Sequence, residues 1–194
     1  LLCPIGVKNK FIVFQPYGSG INDELEDSSG RSLTQEGFEY LVKKMSKELD
    51  AVVLYMGDMK HCTIDDESIL LTAKDVPGVD LRFFMSMIAN SDYFVGVDSV
   101  GQHMARAFNI QGMIIQGSTF EMNVTYPDWF MMYRKRGFMP TYNPIRIAPF
   151  DGEMADRVNA GIMDFTKEEL DEILMEVTDD MNVNFDKASN FNGK

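Results

Sequence analysis

Cysteine and histidine are both scarce in this sequence of 194 residues, which contains two of each. The cysteines, Cys3 and Cys62, lie far apart and form no C-x-x-C pair. This spacing argues against a disulfide framework and predicts free thiols, which are typical of a reducing compartment and therefore of the cytoplasm. His61 beside Cys62 offers two metal ligands, too few for a zinc site, so we expect no bound metal.

The sequence is also short of positive charge and of long apolar runs. Lysine and arginine total 18 against 30 acidic residues, which gives a formal charge of −12. Nucleic-acid binding depends on many lysine and arginine contacts to phosphate, so we expect no nucleic-acid partner. No apolar run approaches the roughly 20 residues of a membrane span, and the N-terminus lacks the pattern of a secretory signal. A small anionic ligand is still compatible with this charge, because distant acids are screened over a Debye length of about 8 Å.

What is present is the composition of a globular chain. Hydrophobic residues make up 45% and charged residues 25% of the sequence, which is enough to bury one core. Leu1 stands where an initiator methionine is usual, which predicts a processed product or a piece of a longer polypeptide. We divide the chain into a connector at 1–10, a domain at 11–181 and a loose polar tail at 182–194.

Apolar runs and amphipathic patterns alternate along the domain. Strands are predicted at 11–15, 51–57, 69–72, 93–97 and 112–117, with an edge strand at 145–148. Helices are predicted after Thr34, after Asp80, after the turn at Asp98 and Ser99, and after Thr166, which has capping-box spacing to Glu169. The alternation favours an α/β fold, a Rossmann-like, mostly parallel sheet with helices on both faces, where ligands bind beyond the carboxyl ends of the strands.

The stretch FVGVDSVGQHMARAF at 94–108 carries most of the chemical information. A buried strand runs through a polar turn into a helix, which directs backbone N–H groups and the positive end of the helix dipole to one place that suits a phosphate. Ser99 adds a hydroxyl, Gly101 permits close approach to the backbone, and His103 can donate to a phosphate oxygen. Asp98 is expected to cap the helix. The alternative is purely structural, because this pattern occurs in every doubly wound fold and a single helical histidine often serves packing.

Two further segments carry candidate functional residues. In the loop after the first strand, Gly18, Ser19 and Gly20 can present backbone N–H groups to an anion, with Arg31 as the nearest cation. The alternative for Arg31 is a solvated loop charge. The region 118–142 is long and aromatic, which predicts either a functional loop or lid or a packed interface.

The segment LRFFMSMIANSDYFVGVDSVGQHMARAFNI at 81–110 resembles the C-terminal half of the heptosyltransferases, glycosyltransferase family nine, which have the GT-B fold. In that family a helix of the type L-x-x-L-x-x-x-I-x-x-A-D runs into a strand that leads to D-[ST]-G-x-x-H-x-A-x-A, and a later strand ends in G-[PS]-T. Residues at matching spacing in this sequence are Leu81, Asp92, Asp98, Ser99, His103, Ala105, Ala107, Gly117, Ser118 and Thr119.

The resemblance extends toward the N-terminus, with departures. FQPYGSG resembles the H-P-G-[AS] loop of the family, and GRSLT resembles its K-R-W-P segment, which aligns Arg31 with a phosphate-binding cation. Gln15 replaces the histidine of the first motif, and Val100 stands in the place of the family glycine, with Gly101 one position later.

The resemblance implies the donor-binding half of a metal-independent GT-B glycosyltransferase, with a nucleotide sugar as substrate and no cofactor. It implies transfer of a hexose or heptose to a glycan or lipid-linked acceptor held by an N-terminal domain or a larger polypeptide, so that the isolated chain is inactive. The residues that would bind the nucleotide and its phosphates are Gly18, Ser19, Gly20, Arg31, Asp98, Ser99, Gly101, His103, Ser118 and Thr119.

Two other functions are alternatives to a glycosyltransferase. The departures favour a non-catalytic GT-B-like domain with a structural or interaction role in a larger assembly. An NAD-dependent oxidoreductase is disfavoured, because no G-x-G-x-x-G follows the first strand.

Overall fold

The computed structural model describes residues 10–18, 30–57, 62–66, 69–72, 80–117, 119, 125–138 and 161–191, with the side chains of the last helix described as far as Val183. Six strands form one sheet: β1 (Lys10–Gln15), β2 (Ala51–Tyr55), β3 (Leu70–Leu71), β4 (Tyr93–Val97), β5 (Gly112–Gln116) and β6 (Met131–Arg134). Their order across the sheet is β3-β2-β1-β4-β5-β6, and every neighbouring pair is parallel. All six carboxyl ends therefore lie along one edge, called here the carboxyl edge. The predicted Rossmann-like α/β sheet is confirmed.

The described helices are α1 (Gln35–Glu48), α2 (Leu81–Ala89), α3 (Val100–Ala107) and α4 (Lys167–Phe191). Three of them begin where the capping signals predict. The side chain of Thr34 accepts from the backbone N–H of Gly37, and that of Asp80 accepts from Phe83. At α4, Thr166 N–H donates to Glu169 Oε2 (2.8 Å) and Glu169 N–H donates to Thr166 Oγ1 (3.3 Å), a reciprocal capping box.

The helices cover the two faces of the sheet in pairs. Neighbouring residues of a strand pack against different pairs, because successive side chains point to opposite faces. Ile12 and Phe14 of β1 pack with α1 and α4, and this side is called the α1/α4 face. Val13, between them, packs with Ile88 of α2 and Met104 of α3, on the α2/α3 face. The central strands are buried on both sides, which explains why they read as continuous apolar runs.

Two elements differ from the sequence prediction. Strand β6 lies inside the region predicted as a loop, and its signal is weak because Tyr133 is the only buried residue among its four. Helix α4 continues to Phe191, so it includes most of the segment expected to be a loose tail. The predicted edge strand at 145–148 and residues 1–9 of the connector lie outside the described residues, whereas Lys10 belongs to β1. In the described part of the chain, no helix is long and apolar enough to cross a membrane.

Candidate functional site

The strand order places the topological switch point of the sheet between β1 and β4. The chain moves outward from β1 through β2 to β3 and then crosses back to β4, so the connections leaving β1 and β4 diverge at the carboxyl edge. Gln15, the last residue of β1, pairs with Gly96 of β4. Open parallel sheets bind ligands at such a switch point. The turn at Asp98 and Ser99 leaves β4 directly above it.

The side chain of Gln15 joins β1 to the start of α3. Its Nε2 donates to Ser99 Oγ at 2.9 Å, and its Oε1 accepts from the backbone N–H of Gly101 at 2.9 Å. Gln15 and Ser99 are buried, with 6% and 7% of their surface exposed. Gly101 has no space for a side chain, because a Cβ atom there would overlap Gln15 Oε1 and lie 2.7 Å from Phe94 Cζ. The glycine therefore accommodates a side chain of the protein itself.

Asp98 anchors a second buried network at this edge. Its Oδ1 accepts from Gln102 Nε2 (2.9 Å) and its Oδ2 accepts from Thr119 Oγ1 (2.8 Å), which in turn accepts from Gln116 Nε2 (2.7 Å). The expectation that Asp98 caps the backbone of α3 is wrong, because Ser99 is the N-cap and the carboxylate is engaged by two side chains. Asp98 instead connects α3 to the segment that follows β5.

Arg31 and Gly18 also lie at the carboxyl edge. A Cβ atom on Gly18 would be 3.5 Å from Arg31 Cβ and 3.8 Å from Arg31 Cζ, so the loop after β1 lies against this arginine. The Gly18 N–H donates to Ser32 Oγ (3.0 Å). A Cβ atom on Gly117, after β5, would overlap the carbonyl oxygen of Gly30. The segment that carries Arg31 is therefore held between the ends of β1 and β5.

His103 lies on the exposed side of α3. Its Nδ1 is 3.0 Å from the hydroxyl of Tyr126, and the two rings meet edge to face with centroids 5.6 Å apart. The structure thus gives His103 a partner from the aromatic region 118–142. Within the described part of the chain, His103 forms no hydrogen bond with Ser99 or Arg31.

Of the ten predicted binding residues, the structure brings six to the carboxyl edge: Gly18, Arg31, Asp98, Ser99, Gly101 and Thr119. His103 follows on the exposed side of α3, and Ser19, Gly20 and Ser118 lie outside the described residues. Within the described part of the chain, no group of three or more histidine, cysteine or acidic residues could hold a metal ion.

Sequence reasoning did not predict the roles of four residues of this region: Gln15, Gln102, Gln116 and Tyr126. Gln15 and Gln116 each end a strand directly after a run of apolar residues, at the edge where ligands bind. A polar residue closing an apolar strand is therefore the signal that could have identified both. Gln102 and Tyr126 carry no such signal, since helices and aromatic loops contain many residues of these types.

Comparison with known proteins gives structural matches only. No protein-family model matches the sequence, and no curated protein matches it. The glycosyl transferase family 9 protein of Veillonella parvula has 11% identity and a TM-score of 0.60, over 90% of this chain and 46% of its own. Heptosyltransferase TibC, solved with ADP-D-beta-D-heptose, has 12% identity and a TM-score of 0.56, over 92% and 47%. ADP-heptose lps heptosyltransferase II of E. coli has 16% identity and a TM-score of 0.51, over 69% and 40%.

These matches define the class of fold. The chain has the Rossmann-like α/β architecture of the GT-B glycosyltransferases, and the resemblance to family nine heptosyltransferases read from the sequence is confirmed at the level of the fold. The chain spans less than half the length of each of these three proteins.

Proposed function

We propose that this chain is the donor-binding, C-terminal-type half of a GT-B glycosyltransferase and that it binds a nucleotide-diphosphate sugar at the carboxyl edge. The observation that carries the proposal is the convergence of Gly18, Arg31, Ser99 and Thr119 beside the β1–β4 switch point. Support comes from the fold, since TibC, which has the same architecture, was solved with ADP-D-beta-D-heptose.

The chemistry of these groups suits a diphosphate. Arg31 supplies a guanidinium that can bind phosphate oxygens in a bidentate manner, and the start of α3 supplies backbone N–H groups and the positive end of a helix dipole. His103 adds a donor on the exposed side of α3. Such donors stabilise the charge that develops on the leaving nucleotide as the bond between sugar and oxygen breaks, without a metal ion.

The rest of the reaction requires more than this chain. We propose that a separate N-terminal-type domain or a larger polypeptide holds a glycan or lipid-linked acceptor, to which the hexose or heptose is transferred. The isolated chain would then bind a nucleotide diphosphate and transfer little sugar. A cytoplasmic location fits the reduced thiol of Cys62.

One observation favours a second candidate, a non-catalytic GT-B-like domain with a structural or interaction role. Ser99 Oγ and the N–H of Gly101 already bond to Gln15, and His103 is paired with Tyr126. A domain that had lost its ligand would replace the lost contacts with internal ones of this kind.

Calorimetric titration with ADP, UDP, GDP and CDP separates the two candidates. We expect one nucleotide to bind the wild-type chain, and Arg31→Ala and His103→Ala each to weaken that binding at least about tenfold, or about 1.4 kcal/mol. Lys47→Ala is the control, because Lys47 is an exposed cation in the last turn of α1, away from the carboxyl edge. No heat with any nucleotide at millimolar concentration would contradict donor binding and favour the second candidate.

A further inference from the structure

The side chain of Gln15 occupies the place at which a phosphate would meet α3. Gly101 is the second residue of the helix, and its N–H is one of the donors that a helix leaves without an internal partner. Gln15 Oε1 accepts from that N–H, and Gln15 Nε2 bonds the neighbouring Ser99 hydroxyl. An anion that approached this end of α3 would need the same two groups.

The contact covers Ser99 and Gly101 at the start of the helix. Only 6% of Gln15 and 7% of Ser99 are exposed, and Gly101 is buried beneath them. Gln15 holds this position from β1, the strand that pairs with β4 at the switch point. A single side chain therefore accepts from the Gly101 N–H, donates to Ser99 Oγ and covers both groups of the proposed diphosphate site.

The adjoining network contains a second feature that points to a ligand. Gln116 is 1% exposed, and its Oε1 has no hydrogen-bond donor among the described residues, although its Nε2 bonds Thr119 twice. Thr119 bonds Asp98, which directly precedes Ser99. A buried acceptor without a donor is unfavourable, and a hydroxyl or amino group of a bound molecule can satisfy it. The carboxyl edge thus combines two groups covered by Gln15 with a buried acceptor to which no described residue donates.

We propose that Gln15 is the gate of this site: its carboxamide closes the N-terminal end of α3, and a phosphate group enters only when the carboxamide rotates away. The gate rests on the proposed function, since it assigns a control element to the same diphosphate site. The carboxamide is neutral and makes one bond to each partner, whereas a phosphate brings negative charge and several acceptor oxygens to the same N–H and hydroxyl. Closure therefore reduces the affinity for phosphates without abolishing it.

Two substitutions at this position have opposite expected effects. Gln15→Ala removes both bonds and uncovers the donors, so we expect ADP and inorganic pyrophosphate to bind at least about tenfold more tightly than to the wild-type chain. Gln15→Glu keeps an acceptor for the Gly101 N–H and places a negative charge at the phosphate position, so we expect at least about tenfold weaker binding. Loss of stability alone cannot change affinity in both directions.

The controls address folding and position. Gln111→Ala makes the same chemical change just before β5, at the opposite edge of the sheet, and we expect it to leave both affinities unchanged. Thermal unfolding by circular dichroism checks each variant. If Gln15→Ala does not fold, Gln15→Asn replaces it, because a side chain shorter by one methylene cannot reach Ser99 and Gly101 together.

Separate outcomes test the gate and the proposed function. Affinities for pyrophosphate that are equal in the wild-type chain and the Gln15→Ala variant, or absent from both, would overturn the gate. Tighter pyrophosphate binding by Gln15→Ala supports the gate by itself. If that variant then bound none of ADP, UDP, GDP and CDP more tightly than pyrophosphate, nucleotide binding would be contradicted while the gate survived.

Discussion

On the α1/α4 face, helices are fixed to the sheet by apolar packing and by tyrosine hydroxyls, whereas on the α2/α3 face helix α2 is only partly buried. Tyr93 of β4 donates to Asp180 of α4 (2.6 Å), and Tyr133 of β6 donates to Glu172 (3.1 Å). By contrast, Ile88 is the only buried residue of α2, whose sequence LRFFMSMIA is nonetheless mostly apolar. The amphipathic pattern thus identifies a helix correctly without predicting how much of its apolar side is covered.

The difference between the faces separates stability from function. The α1/α4 face contains the larger apolar cluster, in which α1 packs against β2 and α4 packs against β5 and β6. The α2/α3 face contains α3, whose first residues carry the candidate site. We therefore expect substitutions on the α1/α4 face to change stability most, and substitutions at the start of α3 to change ligand affinity most.

The largest effect is expected for Leu41→Ala on the α1/α4 face. Leu41 is 1% exposed in the middle of α1, so the substitution leaves a cavity in the main core. Leucine-to-alanine changes at such sites lower the free energy of unfolding by about 2–5 kcal/mol. Urea unfolding measures this value, and a loss below about 1 kcal/mol would contradict the packing described for this face.

A smaller effect is expected for Thr119→Val at the carboxyl edge, between the two faces. The Thr119 hydroxyl donates to Asp98 and accepts from Gln116, and the residue is 8% exposed. Valine has a similar shape but leaves Asp98 Oδ2 without its donor, so we expect a loss of about 1–3 kcal/mol in urea unfolding.

Thr119→Ser is the matched control, because it retains the hydroxyl. We expect it to retain most of the stability that Thr119→Val loses. Equal losses in both variants would mean that the methyl group contributes as much as the hydroxyl, and a loss confined to Thr119→Ser would contradict a stabilising role of the hydrogen-bonded network.

Tyr93→Phe tests how α4 is held to the sheet. Removal of the hydroxyl deprives Asp180 of a donor, but Asp180 is only half-buried and can be hydrated instead, so we expect a loss of about 1 kcal/mol at pH 7.5. Burial, with the Asp180 hydrogen bond second, raises the pKa of Tyr93 well above its usual value.

This raised pKa gives the substitution a pH dependence. Unfolding releases the tyrosine to its ordinary pKa of about 10, so the stabilisation is complete below pH 10 and is lost as the pH rises above it. The deficit of Tyr93→Phe should therefore shrink when urea unfolding is repeated at pH 10.5. A deficit that stays constant or grows would contradict the assigned cause. Tyr133, whose pKa is also raised by burial, is present in both proteins and cancels.

Sequence patterns predicted the fold well because its main signals are local. The caps at Thr34, Asp80 and Thr166 act within three residues of the helix start, and β4 is a continuous apolar run. Strand β6 was missed, since its pairing with β5 is a tertiary contact that leaves little mark on four residues.

The sequence predicted which residues form much of the candidate site but not the hydrogen bonds that join them. Local motifs selected Ser99, Gly101 and Arg31, and all three lie at the carboxyl edge. The bonds made by Gln15 join residues 84 and 86 positions apart, so no local pattern encodes them. The contacts that decide whether the helix end is open are therefore those that a sequence pattern cannot contain.

The smallest effect is expected for Leu81→Ala on the α2/α3 face. This substitution makes the same chemical change as Leu41→Ala. Leu81 is 55% exposed at the first position of α2, and alanine has the better helix propensity. We expect a change within about 0.5 kcal/mol in urea unfolding, measured at two protein concentrations. A loss comparable to that of Leu41→Ala would mean that this side of α2 is buried in solution, and the contrast between the two faces would disappear. If the loss also depended on protein concentration, a second copy of the chain would be what covers it, because only association makes the stability of a folded chain depend on concentration.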